Sequence, residues 1–328
     1  MDPGVGADSV ATTAGVSLER ALEIAAEAAG RAYPKPTIGA VVVRDGVVVG
    51  EGATERGGRH AEVVALEAAG ERARGATLFA TMEPCAHWGT TPPCADRIIA
   101  DGVTRVVVGS RDPNPEAVGG LEKLVEAGVE VEVVDSWAAR VQNEAWRTWV
   151  SKRRPFVIYK AAVSLDARVV VPGQRWVTGE ESRRRVHELR AAVDAVAVGM
   201  GTVRVDAPRL DAREVETPRG QPRRLAFGRG PLPEGSELEL RSGGLAEELG
   251  ALAGEGVQSL LLEGGPTLAG GFFEADLVDK LMLFVAPVLA GGDGPAFVPP
   301  LRSPHRLGHL RFEPVGDDVL LEAYVHET

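Results

Sequence analysis

The sequence contains very little cysteine, because Cys85 and Cys94 are the only two among 328 residues. So few cysteines, with no secretory signal, argue against a disulfide-stapled domain and favour the cytoplasm. No stretch provides the roughly 20 consecutive apolar residues of a membrane-spanning helix. Residues 1–16 are acidic and small, without the basic and apolar regions of a signal peptide, so we interpret them as a flexible tail.

Basic charge is also scarce. Lys and Arg number 36 against 47 Asp and Glu, which gives a formal net charge of -11. Such a balance disfavours a nonspecific nucleic-acid binder, which needs a basic surface to neutralise phosphates. The negative net charge is still compatible with a local basic pocket that binds one phosphate. We therefore predict a small-molecule substrate and no nucleic-acid partner.

The residues that are present indicate two α/β domains. A composition of 44% hydrophobic and 25% charged residues is typical of a globular chain with room for two cores. The spacing of apolar residues predicts a helix over Leu18–Ala32 with Ser17 at its N-cap, and Asp45–Gly46 indicates a hairpin turn. Strand and helix patterns then alternate, which predicts a sheet covered by helices on both faces.

The domain boundary is expected near Pro155, after a segment that is helical, aromatic and basic. We assign residues 17–138 to a first domain, residues 139–154 to a helical linker and residues 155–328 to a second domain. The segment 202–244 is rich in Pro, Arg and Gly, and no strand is predicted there.

A set of zinc ligands is predicted in the first domain. Catalytic zinc takes three Cys and His ligands and leaves a fourth position for water, and His60, Cys85 and Cys94 supply such a set. Glu62 stands two residues after His60 at a helix start, where a carboxylate serves as general base. The zinc deaminase signature is H-x-E followed by P-C-x-x-C, and it is present here as HAE and PC, although eight residues separate the two cysteines instead of two.

Two other interpretations of these residues stay open. A buried cysteine is usually a small hydrophobic residue, and a structural zinc with His87 as fourth ligand is chemically reasonable. The joint pattern favours catalytic zinc, because HAE at a helix start is followed by a strand leading into PC and by a second cysteine that opens a helix.

At these motifs the chain resembles a known family. The runs GRHAEVVAL, EPCAHWGTTPPCADRIIADGV and RDPNPEAVGG are similar to the deaminase half of the bifunctional riboflavin biosynthesis family commonly called RibD. The resemblance implies a cytidine-deaminase-like three-layer αβα domain that deaminates diaminohydroxyphosphoribosylaminopyrimidine. It also implies that His87 lines the substrate pocket.

The run QSLLLEGGPTLAGGF places a strand, a glycine turn and a helix start in sequence. Taken alone, this is a tight turn as often as a site for a dinucleotide phosphate. The resemblance to the same family extends through RPFVIYKAAVSLDAR, DAVAVGMGTVRVDAPRLDAR and LLLEGGPTLAGGFFEADLVDKL. It implies a dihydrofolate-reductase-like α/β domain that uses NADPH to open the phosphoribosyl group to ribityl.

The family's functional residues carry over by motif. Lys160 corresponds to the catalytic cation, which would stabilise charge on the sugar oxygen. The substrate contacts implied by the resemblance are Arg190, Leu210, Arg213 and Glu263. The NADPH contacts implied are Val163, Trp176, Thr202, Asp206, Gly265, Pro266, Thr267, Leu268, Ala269, Gly270 and Gly271.

Several positions depart from the family pattern. Lys35 stands where the family usually has a pocket Asn, Thr90 where it has Lys or Arg, and Val64 where it has His. Ala167 replaces the glycine of SLDG, and the segment 169–175 is shortened. These departures concern substrate recognition rather than metal or proton chemistry. We add Lys35 to the substrate-binding candidates on the hypothesis that its cation partly replaces the one missing at Thr90; the alternative is a solvated loop lysine.

The sequence therefore predicts a cytoplasmic bifunctional zinc and NADPH enzyme of riboflavin synthesis, acting on a small phosphorylated pyrimidine and forming a dimer or tetramer of identical chains. One alternative is a relative from a specialised pathway that deaminates another pyrimidine, with one half inactive. Another is a noncatalytic zinc-stabilised binding protein, which an intact Glu62 disfavours.

Overall fold

The computed structural model describes residues 6–55, 57–88 and 92–327, with side chains from Ser17 onward. The chain divides into two units, Met1–Ser151 and Lys152–Glu327. None of the helices in the described part of the chain combines the length and the apolar character needed to cross a membrane.

The first unit is built on a five-stranded sheet in the order β2-β1-β3-β4-β5. Strand β1 is antiparallel to β2 and β3, while β3, β4 and β5 run parallel. The elements are α1 (Gly6–Glu27), β1 (Gly39–Arg44), β2 (Val47–Ala53), α2 (Ala61–Ala69), a 3-10 helix (Gly70–Ala73), β3 (Thr77–Ala80), α3 (Cys94–Ala100), β4 (Arg105–Val108), α4 (Gly120–Glu126), β5 (Glu130–Val133), α5 (Trp137–Val141) and α6 (Glu144–Lys152).

Alternation along the strands produces two cores. Ala40 and Val42 of β1 point to the face covered by α2, α3 and α4, whereas Val41 and Val43 point to the face covered by α1. Successive side chains of a strand lie on opposite faces, so an almost uninterrupted apolar run is buried on both. The predicted three-layer αβα architecture is therefore confirmed. The hairpin is confirmed too, with Asp45 and Gly46 at φ 50° and 76° between paired β1 and β2.

The first helix differs from the prediction at both ends. It begins at Gly6 rather than near Leu18 and ends at Glu27 rather than Ala32. Residues 6–16, which were expected in a flexible tail, are helical, because no proline or long polar run interrupts the pattern there. The rest of the expected tail, residues 1–5, lies outside the described residues.

The second unit contains an eight-stranded sheet in the order β12-β13-β11-β6-β10-β7-β8-β9. The strands from β11 to β9 are parallel, whereas β13 pairs antiparallel with β11 and β12. The elements are β6 (Phe156–Ser164), α7 (Glu180–Ala192), β7 (Ala195–Gly199), α8 (Met200–Asp206), β8 (Arg223–Phe227), β9 (Glu239–Arg241), α9 (Leu245–Gly254), β10 (Ser259–Leu262), α10 (Pro266–Glu274), β11 (Lys280–Ala286), β12 (Gly308–Val315) and β13 (Asp318–Tyr324).

The core of this unit packs α9 and α10 on the parallel centre of the sheet. Tyr159, Leu260 and Phe272 are among its fully buried side chains. Because β6, β10, β7 and β8 run parallel, their carboxyl ends lie at one edge of the sheet, which is where ligands bind in open α/β sheets. Two of these strands lead directly into helices at this edge, β7 into α8 and β10 through a glycine turn into α10.

Candidate active sites

Three side chains converge at one end of the first sheet. His60 is the N-cap of α2, Cys94 is the first residue of α3, and Cys85 lies in the segment that follows β3. His60 Nδ1 is 3.1 Å from Cys94 Sγ and 3.5 Å from Cys85 Sγ. Tetrahedral zinc, with bonds of about 2.0 Å to nitrogen and 2.3 Å to sulfur, separates such ligand atoms by roughly 3.5 Å. The predicted set is therefore brought together at a spacing that fits zinc, with all three ligand atoms within 4.8 Å of one another.

The local electrostatics suit a cation. The pKa of the Cys85 thiol is lowered, first by hydrogen bonding from the Cys94 thiol and then by the His60 ring. The Cys94 backbone N–H also donates to Cys85 Sγ at 3.4 Å. Thiolate is the form that binds zinc. The surroundings of Cys85 therefore favour the thiolate that the metal requires, whereas hydrogen bonding with Cys85 and burial raise the pKa of the Cys94 thiol.

Glu62 lies in the first turn of α2, with 3% of its surface exposed. Burial raises the pKa of its carboxyl to about 7. A carboxyl group with this value accepts and releases protons near neutral pH, as a general acid–base residue must. The causes of the shift include His60 and both cysteines, so Glu62 adjoins the metal ligands.

The predicted substrate residues of this unit lie at the surface. His87 and Lys35 are both exposed, and Thr90 lies outside the described residues. The pKa of His60 is raised, mainly by its hydrogen bond with Cys85, and the charge of Lys35 acts in the opposite direction. Lys35 is therefore within electrostatic range of the metal ligands.

A pair of carboxylates beside this site, the buried Glu83 and the half-buried Asp112, was not predicted from the sequence. Glu83 is 5% exposed, and its Oε2 accepts the Asp112 N–H at 3.4 Å, while its Oε1 has no partner among the described residues. Burial raises the pKa of Asp112 to about 6, and Asp112 Oδ1 accepts the Asn114 N–H at 2.8 Å. The runs EPC and RDPNP contain these residues, but neither offers a spacing that singles out a buried carboxylate.

In the second unit, Glu263 forms ion pairs with two cationic side chains, Arg190 and Lys160. It follows β10 and accepts two hydrogen bonds from Arg190 of α7, from Nε to Oε1 at 2.6 Å and from Nη2 to Oε2 at 3.0 Å. Lys160 Nζ, on the neighbouring strand β6, lies 3.6 Å from Glu263 Oε2. Burial raises the pKa of Glu263, but Lys160 and Arg190 outweigh that effect and the pKa lies below its usual range. The catalytic candidate and two substrate candidates are therefore brought together.

The other two substrate candidates lie on the segment after α8. Leu210 is buried, and Arg213 is exposed with its Nη1 3.0 Å from Asp211 Oδ1. The Asp211 carbonyl accepts a hydrogen bond from Arg190 Nη1 at 3.1 Å. Arg190 therefore connects this segment to Glu263.

The NADPH candidates surround the starts of α8 and α10. Gly265 is the N-cap of α10 and provides no side-chain cap, so the first N–H groups of the helix are left for a ligand. A Cβ on Gly265 would lie 3.6 Å from Thr202 Oγ1 of α8, which brings the two turns together. This arrangement fits a dinucleotide phosphate. The candidates of the helix are Pro266, Thr267, Leu268, Ala269, Gly270 and Gly271.

Three other NADPH candidates are more dispersed. Asp206 is the last residue of α8 and is exposed. Trp176 is 55% exposed, and the Cζ atoms of Arg175 and Arg183 lie 5.2 and 5.5 Å from the centroid of its ring. The side chain of Val163 belongs to the core, so a ligand would meet its backbone rather than its side chain.

The two halves define a class of protein. A His–Cys–Cys set beside a buried glutamate in an αβα domain is that of a zinc-dependent deaminase, and the second unit has the α/β fold of an NADPH-dependent reductase. The family model for the cytidine and deoxycytidylate deaminase zinc-binding region matches residues 16–110. The model for the RibD C-terminal domain matches residues 155–321.

Similar proteins agree with both models. The riboflavin biosynthesis protein RibD of Mycobacterium tuberculosis is 39% identical over 92% of this chain and 94% of its own length. That of Aquifex aeolicus is 46% identical, over 63% of this chain and 60% of its own length. A solved diaminohydroxyphosphoribosylaminopyrimidine deaminase/5-amino-6-(5-phosphoribosylamino)uracil reductase from Thermotoga maritima superposes with a TM-score of 0.80 at 32% identity, over 95% of this chain and 99% of that one. The chain therefore belongs to the RibD family of riboflavin biosynthesis proteins.

Proposed function

We propose that residues 17–138 deaminate diaminohydroxyphosphoribosylaminopyrimidine and that residues 155–328 reduce 5-amino-6-(5-phosphoribosylamino)uracil, with residues 139–154 as a helical linker. These are the two reactions for which the Thermotoga maritima enzyme is named. The observation that carries the proposal is the buried Glu62 beside the ligand set of His60, Cys85 and Cys94.

In the first reaction, His60, Cys85 and Cys94 would hold the zinc. Zinc in such a site acidifies water and so supplies the hydrolytic nucleophile. Glu62 takes a proton from the attacking water and delivers it to the amino group that leaves as ammonia. Burial makes the charged carboxylate of Glu62 costly, which favours its acceptance of the proton.

In the second reaction, the residues of α8 and the α10 turn would hold NADPH, which supplies the reducing equivalents when bound. Lys160 stabilises the negative charge that develops on the sugar oxygen as the ring opens to ribityl. Glu263 fixes the Lys160 ammonium, and Arg190 fixes Glu263. Arg190 is engaged by Glu263 and by the Asp211 carbonyl and its side chain is 14% exposed, whereas the Arg213 side chain is 47% exposed, so Arg213 is the better phosphate ligand.

The direct test supplies the phosphorylated diaminopyrimidine to the purified chain and follows ammonia release and NADPH oxidation separately. Both signals are expected. Ammonia release from only a different pyrimidine would favour the specialised-pathway alternative, and neither signal from a zinc-loaded chain would contradict the proposal.

Lys35 is proposed to contact the substrate phosphate. Gly39 N–H donates to Thr81 Oγ1 at 3.2 Å and Thr81 N–H donates to the Gly39 carbonyl at 3.0 Å. The loop that carries Lys35 therefore enters the sheet at the edge where the chain leaves β3 toward Cys85. A cation is available there although Thr90 lacks one.

We expect Lys35→Ala to raise KM for the phosphorylated substrate roughly tenfold or more, since a charge-assisted contact is lost. KM for the dephosphorylated analogue should change little, because it lacks the group that Lys35 contacts. Steady-state ammonia release with both compounds measures this, with the nearby exposed Arg31→Ala as control. Equal effects of Lys35→Ala on the two compounds would rule out phosphate recognition.

We also propose a cytoplasmic homo-oligomer. The outermost strand β12 exposes Phe312 (76%) and Leu310 (67%), an apolar surface suited to a second copy. Sedimentation of the full chain should give a dimer or tetramer, and Phe312→Asp should weaken it. A monomeric parent chain would contradict this proposal.

A further inference from the structure

The segment 207–214, which carries Leu210 and Arg213, has an unfavourable backbone conformation. Ala207, Leu210 and Glu214 have φ values of 41°, 58° and 59°, in the left-handed region that residues with a Cβ rarely occupy. Three such residues within one short segment do not hold this conformation by local preference. Contacts from elsewhere in the unit must stabilise it.

Gln221 provides one of those contacts. Its Oε1 accepts the Ala212 N–H at 2.8 Å, and its Nε2 donates to the Ala212 carbonyl at 2.8 Å. Both main-chain groups of Ala212 are thus satisfied by one amide side chain. This clamp fixes the middle of the segment on one side.

His187 provides the contact on the other side. It lies on α7, three residues before Arg190, so both side chains reach the same segment from one helix face. His187 Nδ1 is 3.2 Å from the Arg213 backbone N and 3.2 Å from the Asp211 carbonyl oxygen. Arg190 Nη1 already donates to that carbonyl at 3.1 Å.

These distances decide what the imidazole does. The Asp211 carbonyl has a donor in Arg190, whereas the Arg213 N–H points to His187 for its acceptor. Nδ1 therefore serves as the acceptor of the Arg213 N–H, and the ring proton belongs on Nε2. The pKa of His187 is lowered, first by burial and then by the charges of Arg190 and Arg213, with the Asp211 carbonyl and Glu263 acting in the opposite direction. A neutral ring is the form that accepts a hydrogen bond at Nδ1.

We infer that His187 is a positioning residue of the reductase reaction: its Nδ1 holds the main chain of Arg213 so that Leu210 and Arg213 face the substrate. The inference rests on the proposed function, because these two residues are substrate contacts only there. His187 does not touch the reacting atoms. Its loss should weaken substrate binding without weakening NADPH binding, since the NADPH candidates lie on other segments.

The test compares three substitutions in the full chain. In His187→Asn, the amide oxygen takes the place of Nδ1, so the Arg213 N–H keeps its acceptor. In His187→Gln the amide extends to the position of Nε2, and in His187→Leu no acceptor is left. Arg184→Gln is the control, because Arg184 is on the same helix with its side chain 74% exposed.

We expect His187→Leu and His187→Gln to raise KM for 5-amino-6-(5-phosphoribosylamino)uracil roughly fivefold, the effect of losing one neutral hydrogen bond at the surface. His187→Asn should restore KM to near the parent value, while Kd for NADPH, measured by fluorescence titration, stays unchanged in all variants. A loss of fold would change NADPH binding as well.

Two outcomes would overturn the inference: an unchanged substrate KM in His187→Leu, or no rescue by His187→Asn when all variants bind NADPH normally. Failure of the proposed function has a different signature. There, the parent chain itself would not oxidise NADPH with this substrate, before any substitution is compared.

Discussion

Glu62→Gln is expected to retain about one zinc per chain and to lower ammonia release by roughly 10²–10⁴-fold, the usual contribution of a general acid–base group. Glutamine has the size of glutamate, so the first turn of α2 and the packing around it should persist. It cannot accept the proton from water, however. Metal analysis and ammonia assays on the same preparation measure both effects, and NADPH oxidation with the second substrate should be unaffected.

Two controls separate the base from the metal. Cys94→Ala should lose zinc and ammonia release together, because two ligands bind zinc poorly. Glu67→Gln should match the parent, because Glu67 is on the same helix but pairs with Arg59 at the surface. If Glu62→Gln released ammonia at the parent rate, the assigned proton carrier would be wrong.

The zinc site could be predicted from sequence because each ligand stands at a defined local position. His60 caps a helix, Cys94 begins one, and Cys85 follows a buried strand. Short sequence patterns identify such positions, so these three residues could be grouped as ligands without knowledge of the packing, although they are far apart along the chain. The alternation of strand and helix patterns along the chain predicted the layers in the same way.

Three strands were missed because their signals are weak. Strand β8 contains a short buried run, Leu225–Phe227, within a segment rich in Pro, Arg and Gly, and β9 has only three residues. Strand β12 is exposed along nearly its whole length, so its apolar residues Leu310 and Phe312 lie at the surface rather than in the core. These strands form because neighbours distant in sequence pair with them, as β7 pairs with β8, and such pairing overrides local preference.

The residues that support the substrate-binding segment of the second unit were harder to predict than the residues expected to contact the substrate. His187 lies in a strongly charged helix, where a histidine is usually a solvated side chain, and Gln221 lies in the Pro-rich segment. Their roles depend on contacts with Arg213 and Ala212 that only the folded chain creates. The family motifs pointed to Arg190 and Glu263, but not to the ion pair between them.

The second large effect is expected from Lys160→Met, which should lower NADPH oxidation by roughly 10²–10³-fold, as the loss of a charge that stabilises a transition state does. Lys160 is on β6 with its side chain 15% exposed, and its ammonium faces Glu263. Arg190 still pairs with both oxygens of Glu263 in the variant. The buried carboxylate therefore stays compensated, and the fold should survive.

Ammonia release in Lys160→Met should equal that of the parent, because the zinc ligands and Glu62 lie in the other unit. Thermal unfolding and NADPH titration show whether the variant is folded and binds its cofactor, and the exposed Arg306→Met is the control. A folded Lys160→Met that loses both activities would contradict separate sites. One that oxidises NADPH at the parent rate would show that the charge on the sugar oxygen is stabilised by another group, and Arg213 would be the next cation to replace.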